Sequence, residues 1–137
     1  MKLEHIGIAV KSLKDADALY TTLLGVPPYK HEKVESEGVE TSFFQTGEAK
    51  VELLEGLTED SAISRFIEKR GEGMHHVAFA VTDIRAEMDR LQGEGFRLLN
   101  SEPKRGADNK WVCFIHPRSC HGVLVELCQE IPPSDKA

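Results

Sequence analysis

The chain has 137 residues, a formal net charge of −6, and a composition of 40% hydrophobic and 29% charged residues. That size fits one compact domain, or two small modules that share a core. The acidic balance argues against a nucleic-acid-binding protein, and no apolar run approaches the roughly 20 residues of a membrane-spanning helix.

The cysteines and the first residues indicate a cytoplasmic setting. Cys113, Cys120 and Cys128 are odd in number and lack CxxC spacing, so we expect three unreactive thiols in a reducing compartment. Strand pattern begins by Leu3, and we therefore expect no secretory or organellar presequence. A cytoplasmic protein is predicted.

The first half of the chain predicts a strand, a helix and three further strands. Residues 3–10 alternate with a period of two, which places a histidine and two very small residues on one face. Ser12 is predicted to cap the helix that follows, and Gly25 to end it. Three short strands are predicted between Tyr29 and Glu55, where β-branched and apolar segments alternate with turn signals.

The second half repeats this plan after a short amphipathic helix predicted over residues 61–70. A strand over residues 76–81 again begins with a histidine, and Asp83 is predicted to cap the next helix. A strand is predicted over residues 96–99, a polar loop over residues 101–110, and two closing strands after it.

The repeat is supported by its spacing. His5 and His76 are 71 positions apart, and Glu52 and Glu126 are 74 positions apart. A tandem duplication of a βαβββ module explains both distances if the second copy carries three extra residues. We expect those residues in the polar loop from Ser101 to Lys110.

The predicted fold class is α+β, with two tandem βαβββ modules that form a curved, half-open mixed sheet. We assign the modules to about residues 1–56 and 74–130, with the helix of about residues 61–70 as their linker. Residues 1–132 are predicted to form a single domain, and residues 133–137 a polar tail that frays.

The repeated residues are of types that bind divalent metal ions. Alone, a histidine or a glutamate on a strand is more often structural or solvated, but His5, Glu52, His76 and Glu126 recur as pairs. Burial of two carboxylates is costly without compensation, and a divalent cation is the usual compensation. Two imidazoles and two carboxylates without a thiolate suit Co²⁺, Mn²⁺, Fe²⁺, Ni²⁺ or Zn²⁺. Open positions in an octahedral shell would make the site catalytic.

The remaining histidines are predicted to be structural or exposed. His75 should face away from His76 by alternation, and the repeat aligns His76, not His75, with His5. The other three, which have no repeat partner, are His31, His116 and His121.

Four stretches carry a family resemblance along nearly the whole chain. They are Glu4–Val10, Val51–Glu55, Gly73–Val77 and Phe114–Leu127, of which the last, with its His-Pro run leading to Gly-Val-Leu-Val-Glu, is the most specific. They resemble the vicinal oxygen chelate superfamily, which includes glyoxalase I, and within it the methylmalonyl-CoA epimerases.

The resemblance implies a metal-dependent isomerase that interconverts (2R)- and (2S)-methylmalonyl-CoA by removal and return of the α-proton. The metal ligands would be His5, Glu52, His76 and Glu126, with Co²⁺ as the first choice of metal, and Glu126 would also act as one base. The partners implied are an acyl-CoA substrate and a second copy of the chain in a homodimer.

The second base is where the chain departs from the pattern. Bacterial members carry a glutamate three residues after a glycine, but here Gly38 is followed by Val39, Glu40 and Thr41. One residue along a strand reverses the face, so Glu40 can serve only if a bulge or shift restores its direction. A water molecule or Glu52 is an alternative.

Four cations near the closing strands are candidates for contacts to CoA phosphates, although an ordinary solvated loop explains them equally well. They are Lys104, Arg105, Lys110 and Arg118.

Two other classes of function remain open. The scaffold also serves glyoxalase I, ring-cleaving extradiol dioxygenases and thiol transferases that act on fosfomycin, and a second carboxylate argues against the 2-His-1-carboxylate dioxygenases. A metal-free protein that sequesters a small ligand is the other alternative, and four residues of ligand type argue against it.

Overall fold

The structure is a computed structural model, and it describes residues 1–133. The chain divides into two compact units, one of residues 5–75 and one that joins residues 1–4 to the chain from His76 onward. The predicted α+β class is confirmed, because each half contains a strand, a helix and three strands in that order. Most of the predicted polar tail, residues 134–137, lies outside the described residues.

The elements of the first half follow in chain order. They are β1 (Lys2–Ala9), α1 (Leu13–Leu24), β2 (Lys30–Val34), β3 (Val39–Thr46), β4 (Ala49–Gly56) and α2 (Ala62–Arg70). Those of the second half are β5 (Gly73–Ala80), α3 (Ile84–Gly93), β6 (Lys104–Gly106), β7 (Lys110–Ile115) and β8 (Val125–Glu130).

The predicted caps begin and end the helices. The Ser12 hydroxyl accepts a hydrogen bond from the Asp15 backbone N–H at 3.1 Å, and the Asp83 carboxylate accepts one from the Ala86 N–H at the same distance. Gly25 ends α1 in the left-handed region at φ 76°, where a residue without a Cβ is favoured. These caps fix where each helix begins after its preceding strand and where α1 ends.

In the first unit, strand pairing separates two faces of the sheet. β4 pairs with β1 in parallel and with β3 antiparallel, and β3 pairs antiparallel with β2. One face, called the helix face, packs Phe44 and Leu53 against Leu13 of α1. The opposite face, called the site face, carries His5 and Glu52.

In the second unit, the same arrangement recurs with α3. β8 pairs in parallel with β5 and antiparallel with β7, and β7 pairs antiparallel with β6. Ile84 and Met88 of α3 pack on the face that carries Cys113 and Leu127. The opposite face carries Glu126, and we also call it a site face.

The three extra residues of the second copy do not lie where the sequence predicted. Strand register aligns Phe43, the partner of Glu52, with Phe114, the partner of Glu126. The first pair is nine positions apart in sequence and the second is twelve, so the insertion falls between β7 and β8. There a 3₁₀ helix, Pro117–Cys120, lengthens the connection.

The strand predicted over residues 96–99 is also wrong. Only Leu98 forms a bridge, to Ile115, and the edge strand β6 lies instead at Lys104–Gly106, inside the predicted loop. Aromatic packing supports this edge, since the Arg105 guanidinium lies 5.1 Å from the centre of the Trp111 ring.

Within residues 1–133, no helix is both long and apolar enough to cross a membrane.

Candidate metal centre

The first histidine and glutamate meet on the site face of the first unit. Parallel pairing of β1 with β4 places Gly7 beside Glu52, and His5 lies two residues earlier on the same face. His5 Nε2 is 3.3 Å from Glu52 Oε1. Both residues are buried, at 5% and 4% exposure. Gly7, the strand partner of Glu52, adds no side chain to this face.

The second histidine and glutamate repeat this geometry in the second unit. Here Ala78 is the partner of Glu126 in the parallel pairing of β5 with β8, and His76 again lies two residues earlier. His76 Nε2 is 3.3 Å from Glu126 Oε1, and both residues are buried. The two pairs therefore share register, distance and burial, as a duplication requires.

Phenylalanines flank both glutamates on the site faces. Phe43 is the cross-strand partner of Glu52, and Phe114 is the partner of Glu126. The His76 ring meets the edge of Phe114 with centroids 6.0 Å apart. Apolar rings at these positions lower the local dielectric, which strengthens electrostatic interactions with the neighbouring imidazole and carboxylate groups. Neither ring could be predicted from the sequence, because cross-strand partners depend on register.

The chemistry of each pair fits a divalent cation. A neutral imidazole nitrogen and a carboxylate oxygen are common ligands of Zn²⁺, Co²⁺ and Mn²⁺, and a buried carboxylate needs a compensating charge. A histidine 3.3 Å away can supply that charge only if it is protonated. Each pair is therefore a donor set of metal-binding type.

The structure corrects the prediction for Glu40. β3 and β4 pair continuously from Val39 to Thr46, with no bulge, and Glu40 lies opposite Glu55. Residues opposite each other share a face, so Glu40 lies on the helix face, away from Glu52. Glu55 accepts a hydrogen bond from the backbone N–H of Leu13 at the start of α1. The condition that would have allowed Glu40 to act as a base is not met.

A different carboxylate on β2 reaches the site face. Glu32 lies opposite Thr41, whose own partner on β4 is Leu54, two positions after Glu52. Glu32 is half-buried and its Oε1 lies 3.4 Å from Lys30 Nζ. Glu32 was not predicted from the sequence, because the polar Lys30–Val34 strand alternates with little hydrophobic contrast.

The other histidines have structural surroundings. His75 packs edge-on against Phe66, with ring centroids 5.0 Å apart. His31 pairs with Asp17 of α1 at 2.6 Å. His116 Nδ1 accepts the Arg118 backbone N–H at the start of the 3₁₀ helix, and His121 ends that helix in the left-handed region.

The three cysteines are not in disulfides. Burial raises the pKa of the Cys113 thiol and the pKa of the Cys120 thiol, which lowers the population of reactive thiolate. These surroundings agree with unreactive structural thiols.

The four cations considered for CoA do not form one group on a single face. Lys104 lies opposite Val112, on the face of Glu126, and its ammonium is 5.6 Å from the centre of the Phe114 ring. Arg105 lies on the other face, over Trp111. Lys110 is the partner of Gly106, and Arg118 belongs to the 3₁₀ helix.

Comparison with known proteins identifies relatives along almost the entire chain. Residues 4–114 match the family model described as Glyoxalase/Bleomycin resistance protein/Dioxygenase superfamily. The uncharacterized protein YqjC of Bacillus subtilis is 44% identical, over 93% of this chain and 91% of its own. The ethylmalonyl-CoA/methylmalonyl-CoA epimerase of Cereibacter sphaeroides is 42% identical, over 93% of this chain and 97% of its own.

A solved structure supports the same assignment. The methylmalonyl-CoA epimerase of Streptomyces coelicolor, determined as a variant in complex with 2-nitronate-propionyl-CoA, is 34% identical and matches with a TM-score of 0.90. The match covers 96% of this chain and 99% of that one. The predicted glyoxalase-like fold is confirmed, and this structural relative binds an acyl-CoA ligand.

Proposed function

We propose that this chain, which belongs to the Glyoxalase/Bleomycin resistance protein/Dioxygenase superfamily, is a metal-dependent epimerase of (2R)- and (2S)-methylmalonyl-CoA. The observation that carries the proposal is the pair of buried His–Glu units with equal register, one in each half of the chain. The relatives named as methylmalonyl-CoA epimerases supply the substrate class.

The proposed ligands of one divalent ion are His5, Glu52, His76 and Glu126. We also propose that both modules, residues 1–132, act as a single domain. The donor set suits Co²⁺ first, with Mn²⁺, Ni²⁺, Zn²⁺ or Fe²⁺ as alternatives. When bound, the ion would supply Lewis-acid stabilisation of the negative charge that develops on the substrate oxygens.

The chain's own residues bind the substrate and move the proton. The reacting carbon lies between a carboxylate and a thioester, and inversion requires proton removal on one face and delivery on the other. Glu126 is proposed as one of these two groups. Gly7 and Ala78, beside the two glutamates, leave room for the small acyl group, and Phe43 and Phe114 limit access of water.

Lys104 is the strongest candidate for an anchor of the substrate's anionic groups. It is the cation whose ammonium lies over Phe114, on the face of Glu126. Arg105, which stacks on Trp111 on the opposite face, is the weakest of the four candidates.

Hydrogen exchange at the α-carbon tests the proposal. We expect the purified protein with Co²⁺ in D₂O to incorporate deuterium at the α-carbon of (2S)-methylmalonyl-CoA and to form the (2R) epimer. The metal-stripped protein is the control, and it should do neither until Co²⁺ is restored. Absence of α-deuterium in the Co²⁺-loaded protein would show that the epimerase assignment is wrong.

The same preparation separates the alternative classes. A glyoxalase I-like lyase would turn over a hemithioacetal and leave methylmalonyl-CoA unexchanged. A sequestering protein would contain no bound metal, and its His76→Ala variant would bind ligand as the wild type does.

We also propose that the protein is a homodimer and that it is cytoplasmic. A homodimer is supported by the exposed leucines of α1, Leu19 and Leu23, at 60% and 68% exposure. Light scattering at micromolar concentration distinguishes a dimer from a monomer. The cytoplasm is the proposed location because Cys113, Cys120 and Cys128 are not in disulfides.

A further inference from the structure

The proposed epimerisation needs a second proton-transfer group, and the chain has no carboxylate where its bacterial relatives are expected to carry one. That position, three residues after Gly38, is Thr41. Glu40, the neighbouring carboxylate, lies on the helix face. We propose that Glu32, on the adjacent strand β2, is the second proton-transfer residue, an inference that rests on the proposed function.

Strand register places Glu32 on the site face. The residues of β2 alternate between half-buried and exposed, and Lys30, Glu32 and Val34 form the half-buried set. Glu32 is opposite Thr41, and Thr41 is opposite Leu54. Side chains that are opposite each other across antiparallel strands share a face, so Glu32 and Glu52 are on the same side of the sheet.

Thr41 is small, so the Glu32 side chain can reach the part of the site face that a glutamate at position 41 would occupy. Cross-strand partners have Cβ atoms about 5 Å apart, and a glutamate side chain is long enough to extend past a threonine at that distance. Thr41 is fully buried, and its hydroxyl is directed toward the Glu32 backbone carbonyl at 3.4 Å. Thr41 is therefore the more buried of the two partners, and the longer Glu32 side chain is the more exposed one.

The environment of Glu32 suits proton transfer. Its side chain is 30% exposed, whereas Glu52 is almost completely buried, so its proton can exchange with solvent between turnovers. The Lys30 ammonium, 3.4 Å away, holds the carboxylate in place. Apolar Phe43 lies opposite Lys30 and separates this ion pair from Glu52.

The proton step balances without a further reactant. In one direction the Glu32 carboxylate takes the α-proton as the C–H bond electrons pass to the enolate, and the group on the other face delivers a proton to the same carbon. In the reverse direction the roles exchange. One substrate molecule loses one proton and gains one. Glu32 then releases its proton to solvent, and the group on the other face takes one up, which returns both to their starting states.

The experiment compares Glu32→Gln with Glu40→Gln, a matched change on the adjacent strand that points to the opposite face. With Co²⁺ in D₂O, Glu32→Gln should lower epimerisation about 10²- to 10⁴-fold, the usual contribution of a general base. One epimer should still exchange its α-proton without inversion, because the other group is intact. Glu40→Gln should epimerise at the wild-type rate.

Further measurements keep the outcomes distinct. Co²⁺ titration should give the same affinity for Glu32→Gln and the wild type, since Glu32 is not a proposed ligand, and circular dichroism should show the same fold. Wild-type epimerisation by Glu32→Gln, or a loss confined to Glu40→Gln, would overturn the inference and leave the proposed function intact. A wild type that neither exchanges nor epimerises would overturn both.

Discussion

The two modules have equivalent central strands but different edge strands. Each carries a buried histidine and glutamate at 3.3 Å, with the glutamate's strand partner two residues after the histidine. At the edge, β2 has five residues and β6 has three. Glu32 on β2 and Lys104 on β6 occupy equivalent register positions, opposite Thr41 and Val112.

The proposed function gives this difference a meaning. The four proposed metal ligands lie on the central strands, where parallel pairing gives them the same spacing in both copies. Glu32 and Lys104, which are proposed to contact the substrate, lie on the edge strands, where one copy has a carboxylate and the other an ammonium. An epimerase would need both features, because it moves protons on two sides of a substrate that is itself asymmetric.

The largest expected effect tests whether the central pairs are equivalent. His5→Ala and His76→Ala should each lower epimerisation by at least the roughly 10²- to 10⁴-fold of a lost catalytic group, because each removes a proposed ligand. Metal analysis should show reduced Co²⁺ content in both. A variant that keeps its metal and its activity would show that the modules are not equivalent.

A second prediction compares the cores behind the two pairs. Leu53 and Leu127 each follow a site glutamate by one residue and lie on the helix-covered face, at 0% and 1% exposure. Leu53→Ala and Leu127→Ala should each lower the free energy of unfolding by about 2–5 kcal/mol, the cost of a buried leucine-to-alanine change. Urea denaturation of the metal-free proteins measures it.

A control for the core prediction is Leu99→Ala, a change at an exposed leucine where little apolar area is lost. Its free energy of unfolding should change by less than about 0.5 kcal/mol. An equally small change for Leu53→Ala alone would mean that the first module does not depend on its core as the second does.

The smallest expected effect concerns the edge of the second module. Lys104→Ala should raise the KM for the acyl-CoA about tenfold with little change in kcat. The reason is that the lost charged contact would bind the ground state and the transition state equally. Arg105→Ala, which changes the opposite face of the same strand, is the matched control. Equal effects of the two variants would contradict the assignment of Lys104.

The equivalence of the two histidine–glutamate pairs could be predicted from the sequence, because the pairs repeat. His5 and His76, and Glu52 and Glu126, could be aligned by spacing alone, and alternation separated His76 from its neighbour His75. The helix caps could also be predicted, since Ser12 and Asp83 each accept a hydrogen bond from a backbone N–H only three residues later. Short-range contacts and internal repeats can both be detected without knowledge of the fold.

The edges could not be predicted because they depend on register. Spacing showed that three residues were inserted after His76, but only the pairing of Phe114 with Glu126 located them between β7 and β8. The direction of Glu40 depended on a bulge that β3 does not have. Glu32 lies in a polar segment whose alternation carries little hydrophobic contrast, so its face became clear only from its partner Thr41.

The insertion between β7 and β8 bears on how a duplicated chain diverges. Because the extra residues lie beyond the paired segments, the partner of Glu126 is still Ala78, as the partner of Glu52 is Gly7. The 3₁₀ helix at Pro117–Cys120 thus altered one copy without moving its histidine or glutamate. A gene that doubles in this way can acquire new surface in its connections, while the histidine and glutamate of each copy keep the same register.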